Sequence, residues 1–459
     1  MRPRELTAVT RFGLGPKPGD IAALAGDPVG YVREQCFRPN SALITGPDLP
    51  DSDTIRNDFV RLQGTFREAR LSLKKRGSDE DARDDFQSAA KERNLAGRNI
   101  QAAEIGARYA HGLATDDPFV ERLVLFWANH FAVHRLKSPV MRFVTGAFER
   151  EAIRPYVLAN FSDMLAATTT HPAMLHYLDN DGSVAADSAL GRRRKSRVNE
   201  NLARELLELH TLGVDGGYTQ ADVIAVAHVL AGWNSGMSAK KRSAFQKTWH
   251  AFGPRTILGK TYRESGKRQI KAVLADLAQA PATARHISRK LARHFVGDNP
   301  PPALVDALTK SYLASGGDLR EVTLTLVESD AAWSGDAVKA VPPYDFIVAA
   351  GRAMRLNKLP PHFVMVSARD LAQEIWGPPS PAGWPDDDGA FLGGDALLER
   401  VDFTRAVSQR FGRDVDPRQL ARQLFGDALD PFVAEAVARA EDRNQAMVLL
   451  LMSPAFQRR

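Results

Sequence analysis

A chain of 459 residues, 44% apolar and 25% charged, carries enough apolar side chain for a sizeable core, which excludes a disordered or fibrous protein and leaves an ordinary globular one. Against 55 acidic residues stand 61 basic ones, a net charge of +6 that is small for this length, so nucleic acid is permitted but not indicated. The single cysteine, Cys36, excludes an intramolecular disulfide and a cysteine-built zinc cluster; a metal would have to be held by His, Asp, Glu or Asn.

From the N-terminus, MRPRELTAVTRFGLGPKPGD is basic at Arg2 and Arg4 but lacks the following run of about 7 to 15 apolar residues that a secretory signal requires. Later apolar runs such as FIVAAG and VLLLM fall far short of the roughly 18 to 20 residues of a membrane span. The expectation is a soluble, cytoplasmic chain with no membrane span. Residues 55–110 are rich in Arg, Lys, Glu, Asp, Gln and Ala, with KKRGSDEDARDD in the middle. They read as two solvated helices joined by a charged turn, with a mobile arm or partner-binding hairpin as the other reading. Clusters such as GPDLPDSD, TDDP and GDNPPP punctuate the chain, helical periodicity dominates between them, and no run of alternating strands with hairpin turns appears. The predicted fold is mainly α: a large multi-helical body with long irregular loops. Its regions are 1–115, helical with the charged hairpin; 116–265, helical with a polar pocket; and 266–459, helical with a Trp/Pro loop.

In the central region, His130 and His134 of NHFAVH are four apart, which places both imidazoles on one helix face as in helical zinc sites, although the glutamate after the first His is missing. His171 precedes Pro172, a helix-start arrangement that serves as a cap or presents a ligand. His176, Asp179 and Asn180 follow, and Asp181-Gly182 ends that helix. RRRKSR at 192–197 reads as a solvated loop or as a guide for an anionic ligand. In NENLARELLELHTLGVDGGYTQADV, residues 199–223, Leu202, Ala203, Leu206, Leu207 and Leu209 share one helical arc with His210; Glu200, Asn201, Arg204, Glu205 and Glu208 share the other. Glu200, Arg204 and Glu208 are spaced for ion pairs, while Asn201, Glu205 and Glu208 form a stripe suited to metal binding or acid/base work. Gly213 stops this helix, and Thr219 with Asp222 starts the next.

Residues 268–356 return to amphipathic helices, TARHISRKLARHFV among them. In GPPSPAGWPDDDG, the prolines and Trp384, with Trp376 just before, read as a stiff lid or wall over the polar pocket. Asp386, Asp387 and Asp388 offer oxygens to a hard cation.

FWANHF at 126–131, FERE and IRP within 148–155, HPAMLHYLDN at 171–180, the 199–223 stretch, Gly232-Trp233, ILGKTY at 257–262 and PAGWPD at 381–386 occur in an order that resembles the bacterial domain-of-unknown-function family numbered 1800. The resemblance starts at LTAVTRFGLGP and covers nearly the whole chain. It implies no established activity, and it implies that an envelope or secreted association stays open. The family pattern near 250 carries His-Asp before a glycine; here His250 is followed by Ala251.

So many Asn-His, His-Pro and Asn-Glu combinations within ninety residues point to a polar pocket between helices. Walker, Rossmann, GxSxG and HExxH patterns do not occur. Two functions remain. The first is a metal-assisted enzyme, hydrolytic or oxidative, with His130, His171, Glu205 and His210 around a divalent metal ion and with Glu205, Glu208 and Glu200 as acid/base groups. The second is a non-enzymatic helical binding or assembly factor that acts on an unknown small molecule or protein, such as an envelope or secreted partner.

Overall fold

Local capping sets the helix boundaries. Asp51 and Asp79 precede the long helices Ser52–Arg76 and Glu80–Ala114, and their carboxylates accept hydrogen bonds from the Thr54 and Ala82 amides. The computed structural model describes residues 3–459 apart from 25, 78, 238–244, 265 and 336–338, so Arg2 and Ser78 of the stretches read above fall outside it. These two helices form the expected charged hairpin. Ile55, Phe59 and Leu62 line its inner side, Phe59 packs against Phe143 at 5.1 Å, and Arg93 lies over Phe66 at 4.0 Å. The second helix runs on into the body, where Ile105, Tyr109 and Leu113 are buried.

The protein is mainly α. PFVERLVLFWANH is apolar around most of its circumference, and such a helix is stable only when enclosed. Accordingly Pro118–His130 is buried along nearly its whole length. Phe12 meets Phe119 at 5.5 Å, Phe295 at 5.6 Å and Trp333 at 4.6 Å, which joins segments far apart in sequence. One hydrophobic cluster extends from Leu6 to Phe456. Among the described residues, no helix is long and apolar enough to cross a membrane.

Two local expectations need correction. ILGKTY belongs to a β-hairpin, Arg255–Ile257 paired with Lys260–Tyr262. It turns on Leu258 and Gly259 at φ 50° and 77°, and its strands are too short to show alternation in sequence. The helix bearing His130 also ends there, so His134 is not on its face; the His134 Nδ1 instead accepts from the Leu136 amide.

Three π-helical turns, Ala8–Phe12, Glu149–Ile153 and Leu206–His210, each widen a helix by one residue. The last two lie within resembled motifs, and they present Glu149 and His210 to the interior.

Candidate functional site

The Pro118–His130 helix has two faces that matter. Arg122, Phe126 and His130 recur every fourth residue and face the Pro281–Val296 helix, which answers with His286, Lys290 and His294 at the same spacing. Phe126 lies 5.3 Å from the His294 ring, and His130 lies 6.2 Å from the His286 ring. Leu125, Ala128 and Asn129 form the other face, which borders a cleft.

Where the two rows meet, a seam of imidazoles forms. The Lys290 ammonium donates to His130 Nδ1 at 3.0 Å, so His130 carries its proton on Nε2 and donates it to the His210 carbonyl at 3.2 Å. His286 Nε2 donates to the Leu209 carbonyl at 3.2 Å. His210 lies 6.1 Å from the His130 ring and 5.1 Å from Phe131; neither of its ring nitrogens has a partner among the described residues. Burial, reinforced by the Lys290 charge, pushes His210 down to about 3 and His286 to about 4. Burial also lowers Lys290 to about 8, against the opposing pull of Asp386.

The cleft of about 100 Å³ runs along the same helix, lined by Arg122, Leu125, Ala128 and Asn129 and by His294 of the facing helix, and bordered by residues of the 373–386 loop. Asn129 fastens this loop: its Oδ1 accepts from the Trp384 amide at 2.7 Å, and its Nδ2 donates to the Trp384 carbonyl at 3.1 Å. Gly383 must be glycine here, because at φ 90° a Cβ would come within 2.5 Å of the Asn129 carbonyl oxygen. At the loop's other end Trp376 has φ 48°, a strained value for a bulky residue, and is held by three bonds. The Arg135 amide donates to its carbonyl at 2.8 Å, Arg135 Nε to the Ile375 carbonyl at 2.8 Å, and the Trp376 indole to Glu149 Oε2 at 2.9 Å.

Charged groups back the cleft on both sides. Glu149 joins Arg108, at 3.0 Å, to Arg154, which also forks onto Glu121 at 2.7 and 2.8 Å. Burial pushes the Glu149 carboxyl up, but Arg108 and Arg154 more than offset it, leaving it below the ordinary range. On the opposite wall Arg122 pairs with Asp345 at 2.7 Å, and His294 Nδ1 donates to Asp386 at 2.9 Å. Arg459 donates to His294 Nε2 at 3.3 Å, so both imidazole nitrogens are engaged. Burial holds His294 down to about 4. Asp386 and Asp388 pair with Lys339 at 3.1 and 3.8 Å rather than presenting free oxygens to a cation.

Of the residues proposed to share a metal, His130 and His210 meet. His171 does not join them: its Nδ1 caps the next helix by accepting from the Ala173 amide at 3.1 Å, and its Nε2 faces Glu151 at 3.3 Å. Glu205 is about half-buried, and burial together with Glu208 raises its carboxyl. Glu200 and Glu208 each pair with Arg204 at 3.3 Å on a partly exposed face. Among the described residues no group of three or more His, Cys, Asp or Glu side chains is placed to hold a metal ion. The physical reason at His130 is plain: an ammonium occupies one nitrogen and a carbonyl the other. RRRKSR is largely exposed.

Sequence reading missed Arg108, Glu149, Arg154, Lys290 and His294. The signals were present as the spacing of four in HISRKLARH and as three charges in succession in FERE. A family model described as "Protein of unknown function (DUF1800)" matches residues 7–458. No curated protein and no solved structure matches the chain.

Proposed function

The chain belongs to the DUF1800 family of unknown function, and from that premise we propose that this protein binds a small organic molecule in the cleft between the Pro118–His130 helix and the 373–386 loop. The observation that carries the reading is the Asn129–Trp384 clasp, which fixes an aromatic wall over a cleft lined by Leu125, Ala128, Trp376 and Trp384 and backed by buried charge. Such a mixture of apolar wall and a few directed polar groups suits a small ligand. Binding is favoured over hydrolysis because His294, the imidazole at the cleft, already donates to Asp386 and accepts from Arg459. The expected divalent metal gains no support: both ring nitrogens of His130 and of His171 serve other partners, and among the described residues no group of three or more possible ligands gathers around His210 or Glu205.

The test uses the full chain and neutral aromatic probes, indole and benzamide, followed by ligand-observed NMR. Saturable binding that Ala128→Trp abolishes, by filling the cleft with a folded protein, is the expected result. Binding unaffected by Ala128→Trp, or no binding at millimolar probe, overturns the reading.

A further inference from the structure

Among the described residues lining the cleft, Arg108 is the guanidinium with donors to spare. Arg122 gives Nε to the Gly13 carbonyl at 2.7 Å, Nη1 to Asp345 at 2.7 Å and Nη2 to the Gly13 and Thr10 carbonyls. Arg154 is saturated by Glu121, Glu149 and the Ala42 carbonyl. Arg108, by contrast, gives only Nε, to Glu149. Its two terminal nitrogens make no hydrogen bond to the described residues. Neither is among the enclosed polar atoms lacking a partner, so each keeps some accessible surface, and Arg108 is one of the residues lining the cleft. Yet the residue is only 8% exposed.

The guanidinium carbon lies 4.5 Å from the Tyr344 ring centre and 5.4 Å from that of Trp376, so two aromatic rings lie against it while Glu149 holds the Nε side. The unpartnered Nη1 and Nη2 form the fork that matches the two oxygens of a carboxylate. Glu149 cannot fill that role: its oxygens already accept from Arg108 Nε, Arg154 and the Trp376 indole. The carboxylates that line the cleft are each paired with a cation: Glu149 with Arg108 and Arg154, Asp345 with Arg122, Asp386 with Lys339 and Glu374 with Arg135.

We propose that the cleft's ligand is a small amphipathic carboxylate, its head received by the Nη1–Nη2 edge of Arg108 and its aromatic or branched apolar body lying between Trp376, Trp384 and Leu125. This rests on the ligand-binding reading and adds the charge of the ligand to it. The carboxylate brings a negative charge to a place where desolvated donors already wait, so the ordering cost is met before binding.

The experiment compares 4-fluorophenylacetate with its neutral counterpart 4-fluorophenylacetamide by fluorine NMR on the full chain. The anion is expected to bind at least about tenfold more tightly than the amide. Arg108→Lys, which keeps the charge but loses the fork, is expected to remove most of that preference. Equal binding of the two probes to the parent protein overturns the carboxylate proposal, and leaves the cleft reading standing if Ala128→Trp still abolishes both. A preference for the anion that survives Arg108→Lys overturns the assignment to Arg108. If neither probe binds at millimolar concentration, both readings fall. Should Arg108→Lys fail to fold, the comparison of probes on the parent chain still decides the charge.

Discussion

His210 shows how burial decides the chemistry of a residue. It shares its helical arc with leucines, and the fold encloses it so fully that neither ring nitrogen finds a partner among the described residues. An unfolded chain takes up a proton at an ordinary histidine near pH 6.5, whereas the folded chain refuses one until about 3. As pH falls below 6.5 the unfolded state therefore binds more protons, and stability drops by up to about 1.4 kcal/mol per pH unit for each such group. Above pH 6.5 this contribution is absent. His210→Leu is expected to stay within about 1 kcal/mol of the parent at pH 7, since no hydrogen bond is lost, and to be more stable than the parent by about 2 kcal/mol at pH 4.5. Urea unfolding at the two pH values checks this; identical pH slopes for parent and variant would show that His210 is charged in the folded protein. The same stretch was half legible in sequence. The Glu200–Arg204–Glu208 pairs and the Thr219–Asp222 capping box are local and appear as read. The metal role of Glu205 and His210 needed partners that local spacing cannot supply.

At the scale of elements, the 373–386 loop depends on one glycine and one asparagine. Gly383→Ala places a Cβ against the Asn129 carbonyl at a positive φ. The substitution is expected to cost about 1 to 3 kcal/mol, because either the backbone or the clasp must give way. It is also expected to weaken probe binding at least several-fold, with a shift in tryptophan emission as Trp384 leaves its wall. An unchanged melting temperature together with unchanged probe binding would mean that the clasp does not hold the cleft. The Pro and Trp content of this loop was enough to read a stiff wall. The partner that holds it, Asn129, lies 255 residues away, beyond the reach of any local pattern.

The molecule as a whole is tied together by aromatic contacts between distant segments. Phe12 is fully buried against Phe119, Phe295 and Trp333. Phe12→Ala is expected to cost about 3 to 5 kcal/mol. Because the same cluster runs from Leu6 to Phe456, the loss is expected to lower the thermal transitions seen by far-ultraviolet circular dichroism and by tryptophan fluorescence together. A variant in which only one of the two signals shifts would show that the cluster is not one cooperative unit.

Helix-forming periodicity, capping residues and i,i+4 charge pairs act over a few residues, and so the mainly α character, the charged hairpin and the Thr219–Asp222 helix start were determined by the sequence itself. The end of the Pro118–His130 helix and the short β-hairpin were missed because a helix end and a two-residue turn change too few residues to interrupt a pattern. Which polar groups are buried, and against what, was decided only by tertiary structure. Arg108 and Glu149 lie 41 residues apart, His294 and Asp386 lie 92 apart, and Glu149 and Trp376 lie 227 apart. Desolvation turns these side chains from solvated charges into fixed donors and acceptors, and it acts only once the intervening chain has brought them together out of water.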